Sequence, residues 1–107
     1  MPVSFVSDPS RRVEIARTIL SHLPEWFGIP AATEEYITDA AREPCFVYEK
    51  DGTPLGFLCL KETGRSTVEL AVMGVLKSCH RKGYGRALVD AAAAYACQMG
   101  YEFMQVK

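Results

Sequence analysis

The segment Thr67–Val106 constrains the fold more than any other part of this chain. Thr67–Leu76 is an apolar, strand-like run, and Tyr101–Val106 alternates apolar and polar residues as a second strand does. Between them, the Ala- and Leu-rich stretch Tyr84–Met99 lacks Pro and is followed by Gly100, which predicts a helix. A strand–helix–strand unit of this kind places its two strands parallel in one sheet, with a right-handed crossover.

The N-terminal third predicts one strand and two helices. Residues 3–6 alternate as a short strand, and Asp8-Pro9 provides a helix cap followed by Pro at the first helical position. Apolar residues then recur at helical spacing until Pro24 limits the helix. Thr33 is the predicted cap of a second helix, which ends before Pro44.

After Pro44 the apolar period changes from about four to two. Cys45–Glu49 and Leu55–Leu60 are strand-like runs joined by Lys50–Thr53, a hairpin signal because its Gly supplies positive φ. Together with Thr67–Leu76 they predict an antiparallel meander. The whole order is β-α-α-β-β-β-α-β, which predicts one α/β (α+β) domain over residues 1–107 with a mixed, mainly antiparallel sheet.

Composition excludes several classes of function. A formal charge of −1 over 107 residues gives no general attraction to nucleic acid. No apolar run reaches the roughly 20 residues of a membrane span, and the N-terminus lacks the order of a signal peptide, so a cytoplasmic location is expected. The four cysteines form no C-x-x-C pair, which favours free thiols and no metal site.

The turn before the predicted helix has the chemistry of a phosphate site. Gly83 and Gly85 remove side chains where a helix N-terminus presents unpaired N–H groups, and Arg81, Lys82 and Arg86 add positive charge. The alternative to a phosphate site, judged from these residues alone, is a tight turn whose basic side chains are solvated. The spacing does not fit a dinucleotide fingerprint, because Leu88 stands where the third Gly is required. It does not fit a P-loop either.

The run Val72–Val89 resembles motif A of the GNAT superfamily, the acyl-CoA-dependent N-acyltransferases, in which an apolar strand precedes [QR]-x-x-G-x-[GA] and a helix. The element order of the whole chain resembles that family too. The resemblance implies transfer of an acetyl group from acetyl-CoA to an amine, by direct attack in a ternary complex. It also implies that the family's usual last helix and strands do not follow Val106.

The resemblance implies the contacts of acetyl-CoA residue by residue. The pantetheine arm would contact the backbone at the end of the strand Thr67–Leu76, and the pyrophosphate would contact the amides of the loop that follows. The residues concerned are Met73, Gly74, Val75, His80, Arg81, Lys82, Gly83, Tyr84, Gly85 and Arg86. His80 stands where the family usually has Gln or Arg. We expect a weaker or pH-dependent phosphate contact there, because histidine changes charge near neutral pH.

Glu69 is the candidate general base. Strand alternation predicts that it shares a face with Ala71, Met73 and Val75, provided that no bulge intervenes. Glu69 lies 11 positions before His80. The resemblance implies that this is the catalytic glutamate, because many members of the family have it at this spacing. A solvent-facing glutamate is the alternative of equal weight.

Two further roles concern the oxyanion and the alternative mechanism. The backbone N–H of Val75 is the candidate donor to the developing oxyanion. Acyl transfer through Cys79 is the less favoured mechanism, because no His–Asp partners are evident.

The acceptor amine is expected near Trp26, Phe27 and Tyr36, although each of these aromatics is also suited to helix packing. The sequence does not identify the acceptor, and the acidic residues of the second helix form only a weak cluster.

Either the sequence is truncated or a partner chain supplies the last strands; because their lack would leave a sheet edge uncovered, we expect a homodimer. It also leaves a second hypothesis, a CoA-binding module without turnover.

Overall fold

The computed structural model describes residues 3–24 and 30–106. In chain order, the elements are β1 Val3–Val6, α1 Pro9–Leu20, α2 Pro30–Ala40, β2 Cys45–Lys50, β3 Thr53–Gly64, β4 Thr67–Val75, α3 Tyr84–Gln98 and β5 Phe103–Val106, with a short 3-10 turn, Lys77–Cys79, between β4 and α3. The predicted element order is confirmed.

Local sequence signals explain most of the boundaries. The Asp8 carboxylate accepts a hydrogen bond from the Ser10 amide at 3.0 Å, and Pro9 opens α1 as predicted. The predicted start of α2 at Thr33 is wrong, because the helix already begins at Pro30. A proline suits the first helical turn, since its φ is already helical and no hydrogen-bonded amide is lost there.

The five strands form one sheet in the order β1-β2-β3-β4-β5. All neighbours are antiparallel except β4 and β5, which are parallel as the strand–helix–strand pattern predicts. The β2–β3 hairpin turns at Asp51 and Gly52, which both adopt positive φ. The β3 strand extends beyond the predicted Leu55–Leu60 at both ends.

The sheet separates two hydrophobic cores. Helices α1 and α2 cover one face, where Ile19 and Leu20 pack with Phe57 and Val72. Helix α3 covers the other face, where Leu88 packs with residues such as Leu58. Alternate residues of each strand therefore enter different cores, and β4 carries side chains toward both helical layers.

A β-bulge at Ala71 interrupts the alternation of β4. Cys59 is paired with Val72, but the next residue, Leu60, is paired with Leu70, so Ala71 is the extra residue. Leu70 consequently faces the α3 core, while Val72 faces the α1–α2 core.

In the part of the chain that the structure describes, no helix has the length and apolar character needed to span a membrane. All four cysteines are free, and only Cys97 is exposed.

Candidate functional site

Within residues 3–24 and 30–106, the C-terminal half of β4 has one open backbone edge, which pairs with no strand. Strand β5 pairs only with Thr67–Leu70, and no other strand within residues 3–24 and 30–106 takes this edge beyond Leu70. On the opposite edge, the Leu76 amide donates to the Leu55 carbonyl at 2.9 Å. Because backbone groups alternate in direction along a strand, the amides and carbonyls of Met73 and Val75 point to the open edge.

Gly74 differs from its two neighbours in this respect. Its backbone groups face β3, opposite Phe57, and its lack of a side chain serves packing. A Cβ at this position would lie 3.1 Å from Leu23 and 3.2 Å from Ile19. Gly74 therefore lets α1 approach the sheet closely, and the pantetheine-pairing prediction applies geometrically to Met73 and Val75.

His80 fixes the loop against the end of β4. Its Nε2–H donates to the Val75 carbonyl at 2.7 Å, which requires the proton on Nε2. The imidazole thus lies at the open edge, beside the backbone groups just described. The observed contact is to the strand, which gives this ring a loop-positioning role in addition to the phosphate contact predicted from the sequence.

The loop between His80 and α3 forms a concave backbone surface. Arg81 has φ +65° and Gly83 has φ +81°, and such left-handed residues turn successive amides toward one side. Gly83 is also the N-cap of the 15-residue α3, so the helix dipole and the first-turn amides lie in this loop. This geometry is suited to bind a phosphate group.

Three exposed cations flank the loop, as the sequence suggests: Arg81, Lys82 and Arg86. Arg86 is partly offset by Asp90, 3.9 Å away on the next helical turn. Since exposed pairs of this kind are weak, the positive field around the loop persists.

A cleft of about 390 Å³ joins the open edge to the loop. Eight of the ten residues predicted to contact the coenzyme line it, all except Lys82 and Arg86. Leu23 and Cys79 also line it and were not predicted as contacts. The Cys79 sulfur lies 3.7 Å from the Ser78 hydroxyl, which is not a base that would activate a thiol.

Gly85 lines this cleft without adding a side chain to it. A Cβ there would meet only the ends of Met73 and Val75 at 3.9 Å, which is ordinary contact distance. The fold therefore tolerates a side chain at this position, and its absence leaves room for a ligand. Tyr84 beside it is anchored by stacking on Tyr48, with the ring centroids 4.0 Å apart.

Glu69 does not share a face with Met73 and Val75, so that prediction is wrong. The bulge at Ala71 reverses the alternation, and Glu69 instead lies with Val72 on the α1–α2 side, directly opposite Lys61 of β3. There it lines a pocket of about 250 Å³ between α2 and the sheet. Tyr36, which is 39 % exposed, lines the same pocket. Trp26 and Phe27 lie outside the described residues.

Comparison with protein families matches residues 6–107 to the Acetyltransferase (GNAT) family. This match covers nearly the whole chain. The chain is a member of the GNAT acetyltransferase family. No curated protein matches the sequence significantly.

Solved structures share the same fold. A putative N-acetyltransferase from Lactobacillus plantarum has 23% identity and a TM-score of 0.79, with 97% of this chain and 72% of that chain covered. A ribosomal-protein-alanine N-acetyltransferase from Brucella melitensis biovar Abortus 2308 has 14% identity and a TM-score of 0.75, covering 98% and 77%. The aminoglycoside N-acetyltransferase AAC(6')-Iy in complex with CoA has 18% identity and a TM-score of 0.74, covering 98% and 74%.

In this GNAT domain, the pocket that contains Glu69 is predominantly acidic. Its charged lining residues are Glu35, Asp39, Glu43, Glu69 and Lys61. Asp39 forms an ion pair with Arg42 at its edge. Within the described residues, no group of three or more His, Cys, Asp and Glu side chains is arranged to hold a metal ion.

Glu43 is the unusual member of this set, because it is only 9 % exposed. Among the residues that the structure describes, no buried side-chain nitrogen or oxygen lacks a hydrogen-bond partner, and neighbouring charges act on the Glu43 carboxylate at longer range. Burial, reinforced by Asp39, raises its pKa to about 7, and Lys61 and Arg42 oppose the shift.

Sequence reasoning missed Glu43 and Lys61. Glu43 stands between α2 and the apolar β2 run, and Lys61 follows the buried part of β3, where charged residues are ordinary. No local signal connects them with Glu69, because their proximity arises from strand pairing and from the packing of α2 on the sheet.

Proposed function

We propose that this protein is an N-acetyltransferase that moves the acetyl group of acetyl-CoA to an amine by direct attack in a ternary complex. The observation that carries the proposal is that two pockets of different charge adjoin the same strand. The cleft at the cationic loop begins at Met73, and the acidic pocket ends at Ala71, with only Val72 between them. Two residues of strand span about 7 Å, a distance compatible with contact between two bound substrates.

The cleft supports coenzyme binding through groups of two kinds. Amides of the loop and of the first turn of α3 would hold the pyrophosphate, with Arg81 and Lys82 adding charge. The Val75 amide on the open edge would pair with an amide group of the pantetheine arm, since the Val75 carbonyl already accepts from His80. His80 would keep the loop and the strand in register through its bond to the Val75 carbonyl.

When bound, acetyl-CoA supplies an acetyl thioester, so an N–C bond forms, the C–S bond breaks, and CoA leaves as a thiol with the proton that the amine loses. The Met73 amide, directed to the open edge and nearer to Glu69 along β4 than the Val75 amide named from the sequence, would donate to the carbonyl oxygen as negative charge develops on it. Glu69 would accept the proton of the amine, directly or through a water molecule.

The acidic pocket supports amine binding. Tyr36 and Glu69 line it together, which supports an acceptor contact by Tyr36 and the role of base for Glu69. Trp26 and Phe27 stay in the proposal as acceptor contacts from the α1–α2 segment. Related folds include enzymes that acetylate aminoglycosides and ribosomal-protein alanine, so the fold alone leaves the acceptor open.

Two measurements on the intact chain test the proposal. Thermal unfolding with and without CoA reports coenzyme binding, which stabilises the folded state by mass action. Release of free thiol from acetyl-CoA, with a panel of amines, reports turnover. We expect both signals. A thermal shift without thiol release would leave a CoA-binding module, and the absence of a shift would contradict coenzyme binding itself.

The homodimer stays a prediction. Met99 and Phe103 are large apolar side chains with 60% and 61% exposure, and Phe103 lies on the edge strand β5. Such surface favours association. Light scattering should give twice the mass of 11.9 kDa, and a monomer at micromolar concentration would contradict the prediction.

A further inference from the structure

We propose that Cys45 and Cys59 are a redox-sensitive pair, which a low-molecular-weight disulfide such as oxidised glutathione converts into an intramolecular disulfide between β2 and β3. Both cysteines are free in the structure. The proposed acetyl transfer uses neither thiol, so this inference stands or falls independently of it.

The register of the β2–β3 hairpin places the two cysteines directly opposite each other. At the neighbouring position of the same ladder, the Leu60 amide donates to the Pro44 carbonyl at 2.9 Å. Hydrogen-bonded and non-hydrogen-bonded positions alternate along an antiparallel ladder. Cys45 and Cys59 therefore occupy a non-hydrogen-bonded position.

The hydrogen bonds on the other edge of β3 lead to the same assignment. The Leu76 amide donates to the Leu55 carbonyl, so Leu55 directs its backbone groups toward β4. Every second residue after it, Phe57 and then Cys59, does the same, because backbone groups alternate in direction along a strand. The backbone of Cys59 is thus directed away from β2, as a non-hydrogen-bonded position requires.

This position suits a disulfide. At non-hydrogen-bonded positions the opposed Cα atoms lie about 4.5 Å apart, closer than at hydrogen-bonded positions. Disulfides span Cα separations of about 4.4–6.8 Å, so the bond can form with little movement of the strands. Both side chains also enter the same core, on the α1–α2 side of the sheet.

The two thiols already interact in the reduced protein. The Cys45 S–H donates to the Ala40 carbonyl at 3.6 Å, which leaves the Cys45 sulfur to accept from the Cys59 S–H. This hydrogen bond between the cysteines, together with burial, raises the pKa of the Cys59 thiol well above its usual range. Cys59 therefore stays protonated while the core is closed, and oxidation requires a local opening.

Cys45 is the thiol that an oxidant meets first. It opens β2 directly after the turn that follows α2, whereas Cys59 lies within β3. When this end of α2 opens, the Cys45 thiolate attacks one sulfur of oxidised glutathione, and the first glutathione leaves as a thiolate. The Cys59 thiolate then attacks the Cys45 sulfur and displaces the second glutathione. The two protein thiols lose two protons and two electrons, and one oxidised glutathione becomes two reduced molecules.

The folded state can accept the new bond. Oxidation removes the Cys45 proton from the Ala40 carbonyl, but this carbonyl keeps the hydrogen bond from the Glu43 amide at 3.3 Å. The bond would also close a chain segment of 14 positions, which restricts the unfolded chain. We therefore expect the oxidised protein to be the more stable form.

Peptide mapping of the intact chain tests the proposal. Trypsin cleavage after Arg and Lys places Cys45 on residues 43–50 and Cys59 on residues 51–61, each as the single cysteine of its peptide. The protein is refolded from denaturant in mixtures of reduced and oxidised glutathione, blocked with N-ethylmaleimide and digested without reductant. Mass spectrometry should recover the two peptides joined, with the loss of two hydrogens.

Cys97 is the internal reference, because it is the exposed cysteine. The ratio of oxidised to reduced protein should be at least about tenfold higher for the Cys45–Cys59 pair than for the mixed disulfide of Cys97 with glutathione, since the second step at the pair is intramolecular. Recovery of Cys45 and Cys59 as N-ethylmaleimide adducts, or as glutathione adducts to the same extent as Cys97, would overturn the proposal.

Thermal unfolding shows whether the bond fits the native register. The oxidised wild type should have a Tm at least about 5 °C above that of the reduced protein. Cys79→Ala, at another buried cysteine, is the matched control and should show the same shift, whereas Cys45→Ala should show none. An equal or lower Tm of the oxidised wild type would contradict the proposal, and this comparison decides the question even if Cys45→Ala fails to fold.

Discussion

The coenzyme cleft and the acidic pocket lie along one strand but are built in different ways. Most of the cleft is contributed by residues 73–85, so consecutive backbone groups of β4, the loop and α3 make its surface. The acidic pocket takes its carboxylates from α2, from the turn before β2 and from β4, with a lysine from β3. The first is a local structure that uses main-chain donors, and the second is a tertiary structure that uses side-chain charge.

This difference gives the two regions different sensitivities. Substitutions other than proline leave the main-chain amides in place, so the cleft is altered by filling it or by changing the conformation of its loop. The pocket depends on individual carboxylates, so single isosteric substitutions should alter charge without altering shape. Each prediction below changes one region and asks whether the other responds.

Glu69→Gln should have the largest effect and should separate the two regions most clearly. Turnover should fall about 100-fold or more, since the amide cannot accept the proton of the amine. The Kd for acetyl-CoA should stay nearly unchanged, because Glu69 lies outside the cleft. Steady-state kinetics and titration with acetyl-CoA measure the two quantities. Glu14→Gln, exposed on α1, is the control; unchanged turnover of Glu69→Gln would remove this residue from the mechanism.

Glu43→Gln should change how stability varies with pH. The folded state keeps the Glu43 proton up to about pH 7, while the unfolded chain releases it near the ordinary value of 4.5. The wild type should therefore lose stability as pH rises through this window, by at most about 3 kcal/mol. The variant should lack this loss and be the more stable protein at about pH 8.

Denaturant unfolding of wild type and Glu43→Gln at about pH 5 and about pH 8 measures this difference. If the free energy of unfolding varied with pH in the same way in both proteins, ionisation of Glu43 would have no cost in the folded state. The affinity for acetyl-CoA should be the same in both, because Glu43 does not line the coenzyme cleft.

Gly85→Ala should weaken acetyl-CoA by about 30-fold, or about 2 kcal/mol. The added methyl group meets only ordinary contacts in the protein but occupies the floor of the cleft. The free energy of unfolding should stay the same or rise slightly, since Ala is a better helix former than Gly. Gly64→Ala, at the end of β3, is the matched control. Full acetyl-CoA affinity in Gly85→Ala would show that the ligand does not approach these amides.

Gly74→Ala should have the smallest effect and should act on the fold. Its Cβ would lie 3.1–3.3 Å from side chains of Leu23, Ile19 and Phe57, in a well-packed core. Overpacking of this kind should reduce the free energy of unfolding by about 1 kcal/mol. Thermal and denaturant unfolding measure the change. A loss of acetyl-CoA affinity greater than that of Gly85→Ala would instead indicate that Gly74 contacts the coenzyme directly.

The order of the elements, the parallel β4–β5 pair and the loop that opens α3 could be predicted from the sequence. These features depend on periodicity, on capping at Asp8 and on glycines at Gly83 and Gly100, all of which act over a few neighbouring residues. Eight of the ten predicted coenzyme contacts line one cleft for the same reason, since residues close in sequence stay close in space.

Only the tertiary structure decided the surroundings of Glu69. The bulge at Ala71 arises from the pairing of β4 with β3, and it moves the Glu69 side chain away from the face of Met73 and Val75. Glu43, Lys61 and Glu69, which meet at this pocket, are separated from one another by 8 to 26 positions in the chain. The sequence by itself therefore determined the local backbone geometry of the phosphate loop, whereas the charge of the acceptor pocket was decided by strand register and helix packing, because side chains distant in the chain meet only after the sheet has formed.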